Sequence, residues 1–342
     1  MPGIPPLLDE LLRAVGPTGF EDDVATVVRR EAAGFADVGR DALGSTTAAV
    51  RGTPGGRLLA ILAHCDEVGA MVSHVDEGGY LALHAIGGWS AETLVGQRVQ
   101  VRTRAGTLPG VVGRRSEKGK VSWGDLYVDV GAAGRDEARE VVAAGDPLVV
   151  AGPPLELASG RIASKSCDNR VGLYAGLEVL RALAGEPPAW DVALVATVQE
   201  EGSCAGGQTT VTRLAPHAVL VVDVTWATDT PGADPRQHGD HALGSGPAIL
   251  RGPAVHPVLH EALAYHAHAL GMPWTVEVAA STLTDADAAY VTGGGVPTCV
   301  VSIPMRRYHS PCETVQLSDV EDTRRLLEAF ARGLAPDLDL AR

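Results

Sequence analysis

The sequence predicts an α/β fold: a mixed sheet covered by helices on both faces, with a small β-barrel-like domain inserted. Three observations predict it. Apolar runs of strand length, near 58–63, 192–198, 218–222 and 296–303, alternate with helical patterns at 168–184, 256–270 and 318–334. That is the texture of strands buried on both faces. Between 69 and 160 it changes to short apolar segments, VQVRT, GVVG, LYVDVG and PLVV, separated by Gly, Pro and Asp turns, as in a small all-β unit. The composition, 45% hydrophobic with 4% aromatic and 41 Gly in 342 residues, suits a closely packed α/β core better than a β-sandwich. The expected organisation is a catalytic domain made of 1–68 plus 161–342, and an inserted β-rich domain at 69–160.

Each element has its own signal. Helices are expected at 5–15 and 20–33, the second with Val24, Val27, Val28 and Glu31 at helical spacing. In RLLAILAHCDEVGA (57–70) the run LLAILA reads as a buried strand ended by polar residues and Gly69. The helix at 168–184 carries Leu173, Leu177, Leu180 and Ala184 on one face. The last helix is expected to open on a Ser318–Glu321 capping box and to bury Val320, Leu327, Phe330 and Leu334.

Charge and cysteine usage exclude some functions. The net charge of −14 disfavours binding to nucleic acid or an anionic membrane. No apolar run reaches the roughly 18 residues of a membrane span. The opening MPGIPPLLDELLRAVG does not read as a signal peptide. Five cysteines without a CxxC pair argue against a disulfide framework and for a reducing cytoplasm.

In open α/β sheets, ligands bind outside the carboxyl ends of the strands. His64 and Asp66 follow the run at 58–63. Glu200 and Glu201 follow VALVATVQ, Asp223 follows AVLVV, and His309 follows VPTCVVSIP within MRRYHSP. Asp168 opens the helix that begins CDNRVG. All are imidazoles or carboxylates, the ligand types of hard or borderline metals. So many carboxylates at one rim need a cation, and two divalent ions about 3.5–4 Å apart, sharing one carboxylate, answer that need. One of the adjacent glutamates can then bind metal while the other takes a proton from water.

Each piece alone has a plainer reading. An HxD at a strand end is usually structural, paired glutamates usually line a solvated helix face, and Asp223 can cap a helix. The coincidence at element ends favours a site. A second histidine group, His256, His260, His266 and His268, contains HPVLH, without the Glu of HExxH; it is expected on a surface helix.

Together the motifs AHCDEVG, CDNRVG, VQEEG, VDVTWATDTPG, TDADAAYVTGGGVPTCVVSIP and RRYHSPCE resemble the cocatalytic metallo-aminopeptidases that include the tetrahedral and glutamyl aminopeptidases. IGGWSAETLVGQRVQV and DLYVDVG resemble that family's inserted β domain. The resemblance implies that His64 and Asp223 hold one metal, Glu201 and His309 the other, and that Asp168 bridges both. It implies Glu200 as general base, Asp66 as the group orienting His64, and a homo-oligomer, in many members a tetrahedral dodecamer. Asp285 also matches a family position, with a supporting or substrate-facing role. Zinc or cobalt suits the mixed imidazole and carboxylate set.

The chain departs from the family after the glutamates, where it reads QEEGSCAGGQ, and in having Cys65 and Cys167 beside proposed ligands. Cys204 and Cys312 lie three residues beyond others. These thiols read as small packing residues; the sharper alternative is a thiol that makes activity sensitive to oxidation or to soft metals. Arg306 and Arg307 are expected to form salt bridges rather than to attract an acidic substrate. The function expected is a metal-dependent aminopeptidase acting on short peptides. The alternatives are a deblocking enzyme for N-acyl peptides on the same metals and a non-catalytic metal-binding homologue. A metal-free glycosidase, as in the endoglucanase label some related sequences carry, leaves the histidines without a purpose.

Overall fold

The computed structural model describes residues 3–54, 56–116 and 119–341. Its centre is a sheet of eleven strands. Four parallel neighbours form the middle, in the order Asp191–Thr197, Leu58–His64, Ala218–Trp226 and Thr298–Arg306. Antiparallel strands complete it on either side. Thr46–Val50 pairs with Asp191–Thr197, and Glu313–Gln316 pairs with the end of Thr298–Arg306. The central strands are apolar along nearly their whole length because both of their faces are covered.

Strand alternation identifies the two covers. Leu194 packs against Gly176 of the helix Cys167–Gly185. The Thr197 hydroxyl, on the opposite face, meets Asp285 at the start of the helix Asp285–Ala289. The helix Cys167–Gly185 also contacts Pro6–Arg13, Asp22–Ala32 and Leu317–Gly333. It is therefore buried well beyond the single expected stripe: Val171, Ala175, Val179 and Leu183 are inaccessible as well as Leu173, Leu177 and Leu180.

One expectation fails and another holds only in part. The last helix, Leu317–Gly333, has Gln316 at its N-cap and no side-chain cap. In place of a Ser318–Glu321 box, buried Asp319 accepts the amide N–H groups of Gly244 and Gly246 at 2.8 and 3.0 Å. Glu321 instead pairs with Arg324. The helix of the second histidine group has an exposed face, as expected, with His268 on it, but His256 and His260 are buried. The helix Pro257–Ala269 is pressed between the strand Ala248–Arg251 and the last helix, and the His260 Nδ1–H donates to Leu250 O at 3.0 Å.

Between Gly69 and Val150, six strands close into a barrel. VQVRT, GVVG, LYVD and PLVV all lie in its strands. The barrel has its own core, including Val72, Leu81, Val101, Val128 and Leu148. Leu155–Leu157 already pairs in the large sheet. No helix among the described residues is long and apolar enough to cross a membrane.

Candidate metal centre

The parallel strands deliver their C-terminal ends to one place. Leu58–His64 ends on His64, and Asp223 lies near the end of Ala218–Trp226. The strand Asp191–Thr197 passes through Gln199, which adopts a left-handed conformation (φ 60°), into the short helix Glu200–Ser203. Both adjacent glutamates thus sit at the start of a helical turn, where the N–H groups of the first turn are unpaired. Asp66 supplies the acceptors: its Oδ1 takes the Glu200 N–H and its Oδ2 the Glu201 N–H, both at 3.1 Å.

Among the described residues, two groups of ligand atoms converge: His64, Asp168 and Asp223, and Asp168, Glu201 and His309. Asp168 belongs to both. His64 Nε2 lies 2.9 Å from Asp168 Oδ1 and 3.9 Å from both Asp223 Oδ1 and Glu200 Oε2. Its Nδ1–H donates to the carbonyl of Asp66 at 3.2 Å, with the Asp66 carboxylate at 3.4 Å. His309 Nε2 lies 3.2 Å from both Asp168 Oδ2 and Glu201 Oε1.

These residues fit metal ions. Asp168 Oδ2, Glu201 Oε1 and His309 Nε2 are buried and close, yet none satisfies hydrogen-bond geometry. Lone pairs facing a common centre have that geometry. Five ligand candidates drawn from imidazole and carboxylate also suit zinc or its neighbours.

The electrostatics point the same way. Burial opposes charge on His309, but Asp168 and Glu201 outweigh it and push the imidazole up to about 11. His64 is likewise driven well above its ordinary value, against burial, by Glu200, Asp168, Asp66 and Asp223. Burial, reinforced by neighbouring carboxylates, pushes Glu200 and Asp223 well above the usual carboxylate range. Burial also opposes charge on Asp168, but the two histidines hold it far below that range. By themselves the side chains can balance this much negative charge only with protons, and a divalent cation does the same work.

Around the cluster lie residues that were not among the expected site residues. The Thr18 hydroxyl donates to Asp66 Oδ2 at 2.8 Å. Glu21 Oε1 accepts the amides of Gly19 and Gln199 at 2.6 and 3.2 Å. Glu313 Oε2 accepts the Asp168 amide at 3.0 Å. Apart from the Glu21–Gly19 bond, each links residues far apart in the chain, so no local pattern reveals the pairing.

The altered loop has a packing reason. A Cβ on Gly206 or Gly207 would strike Val198 O or Asp285 Oδ1, so the glycines let the helix Ala205–Leu214 approach closely. Asp285 takes the Thr197 hydroxyl at 2.5 Å, and burial raises it to about 7. Arg306 is paired with Asp229, and Arg307 is bonded to Cys312 O and Thr314. All five cysteines are free; Cys65, Cys167 and Cys299 are buried and Cys312 is exposed.

Known proteins place this architecture. The crystal structure of the TET aminopeptidase from the marine sediment archaeon Thaumarchaeota archaeon SCGC AB-539-E09 matches it with a TM-score of 0.91 at 32% identity, covering 96% of this chain and 95% of that one. The Pyrococcus horikoshii TET1 peptidase, which can assemble into a tetrahedron or a large octahedral shell, matches with a TM-score of 0.86 at 28% identity, covering 96% and 99%. The lysyl aminopeptidase of Pyrococcus furiosus is 33% identical over 347 residues, covering 96% of this chain and 97% of its own. Fold and relatives thus define the class, a peptidase with a zinc-peptidase-like α/β fold. Residues 44–326 match the M42 glutamyl aminopeptidase family, and the chain belongs to that family.

Proposed function

We propose that this chain is a dinuclear metal-dependent aminopeptidase that releases the first residue of short peptides. The observation that carries the proposal is the pair of three-residue ligand groups sharing Asp168. In this reading His64 and Asp223 would hold one ion, Glu201 and His309 the other, and Asp168 would serve both. When bound, the ions supply Lewis acidity, acidify a water, polarise the scissile carbonyl and hold a neutral α-amine. Zinc and cobalt both suit the donors.

The remaining work falls to side chains. Glu200, outside both ligand groups, accepts a proton from the attacking water at its carboxylate and passes it to the departing amine. Asp66 positions three groups at once: the His64 ring and the backbones of both glutamates. A homo-oligomer, in the form of a tetrahedral dodecamer, belongs to the same proposal and is supported by the P. horikoshii relative.

The test compares an unblocked tripeptide with its N-acetylated twin, using metal-stripped protein and then protein reloaded with zinc or cobalt. Mass spectrometry should find metal-dependent loss of the first residue from the free peptide alone. Cleavage of the acetylated twin would indicate a deblocking enzyme instead. Metal uptake with no cleavage of any peptide would favour a non-catalytic homologue.

A further inference from the structure

The two histidines of the centre are oriented by different parts of the molecule. His64 is held locally, its Nδ1–H donating to a carbonyl two residues away. His309 is held from a distance: its Nδ1–H donates to Gly88 O at 2.8 Å, across 221 residues of sequence. Gly88 follows the barrel strand Leu81–Ile86. Such a bond leaves Nε2 as the free lone pair and fixes the plane of the ring. His309 needs the support, because its backbone is left-handed (φ 48°), a conformation that costs a non-glycine residue energy.

The Gly88 carbonyl is itself held in place. Gly87 has φ 79°, and a Cβ there would come within 2.7 Å of Val68 Cγ1, so the turn tolerates no side chain. On the other side, the Trp89 indole N–H donates to Gly69 O at 2.8 Å, at the start of the first barrel strand. The Trp89 ring packs on Trp123 and the barrel core, with ring centroids 5.6 Å apart. It also lines the small crevice shared with Asp168, Ser310, Pro311 and Glu313.

We propose that the Gly87–Trp89 turn is a positioning latch, by which the barrel sets the His309 ring and so the metal affinity of one half of the centre. The proposal rests on the two-metal reading above. It assigns the barrel a part in assembling the catalytic centre. Trp89 and Gly87 act through His309.

The test is calorimetric titration of the metal-stripped full-length protein with Co²⁺, followed in parallel by visible absorption of the bound ion. Wild type should take two equivalents. Gly87→Ala should weaken one equivalent by about 10–100-fold, the range for lost support of a metal-bound imidazole, and change its absorption spectrum. The other equivalent should be unchanged. Trp89→Phe keeps an aromatic ring and loses the indole N–H, and should weaken the same equivalent to a smaller degree. Gly106→Ala, at another left-handed barrel glycine with open space around it, should bind both as wild type does. If Gly87→Ala does not fold, Trp89→Phe decides. Unchanged binding in the folded variants, or equal weakening of both equivalents, overturns the latch. Fewer than two equivalents in wild type overturns the two-metal reading, and the latch with it.

Discussion

The two halves of the centre share Asp168 and contain the same ligand types, but they are built differently. The half with His64 and Asp223 grows directly from two neighbouring parallel strands, whose pairing sets the spacing. His64 is 2% exposed, and its orienting partner is two residues away. The half with Glu201 and His309 grows from turns. Gln199 and His309 both have left-handed backbones, His309 is 18% exposed at its side chain, and its support comes from the barrel. Strand register places a ligand at little cost, whereas a turn needs several long-range bonds to hold the same precision.

The largest expected effect comes from removing what the halves share. Asp168→Asn should abolish peptide cleavage and lower the uptake of both metal equivalents, measured by plasma emission after dialysis. Loss of only one equivalent would mean that the halves do not meet at Asp168.

Next is Glu200→Gln, which belongs to neither half. It should lower kcat by about 10²–10⁴-fold, the usual contribution of a general base, and leave the metal content at the wild-type level. A fall in metal content would make Glu200 a ligand.

A smaller effect distinguishes the turn-built half. Burial raises Glu21 to about 7 from its ordinary 4.5, despite the amides it accepts. The folded state therefore binds this proton more tightly than the unfolded chain. The stabilisation is complete below about 4.5 and is lost as pH rises through 7. Glu21→Gln keeps the same oxygen as acceptor for Gly19 and Gln199. It should raise Tm by a few degrees at pH 8 and change it little at pH 4. An equal shift at both pH values would contradict the assignment.

The smallest effect concerns the thiols. Cys312, exposed and three residues past His309, should alkylate readily in the metal-loaded protein with little change in rate. Cys204 lies 3.9 Å from Glu200 Oε1, and burial pushes its thiol well above the usual range, so it should resist the reagent. Substantial loss of activity at one modified thiol would revive the oxidation-sensitive alternative.

Much of this centre is legible in sequence, because strands of a parallel sheet are apolar throughout and a polar residue at their end stands out. His64, Glu200, Glu201 and Asp223 are visible for that reason, and Asp168 because it opens the helix that begins CDNRVG. The barrel strands show through their turns. The roles of Thr18, Glu21, Glu313 and Gly88 are not legible, although Glu313 and Gly88 lie within the motifs RRYHSPCE and IGGWSAETLVGQRVQV. Each acts on a group far away in the chain, and the Gly88 contribution is a backbone carbonyl that any residue possesses. His256 and His260 mislead because polarity suggested exposure, while the helix packs between a strand and another helix.

Anomalous scattering from crystals grown with cobalt tests whether two ions share Asp168. Two peaks are expected on either side of Asp168, one near His64 and Asp223, the other near Glu201 and His309. A single peak, or peaks away from these side chains, would contradict it.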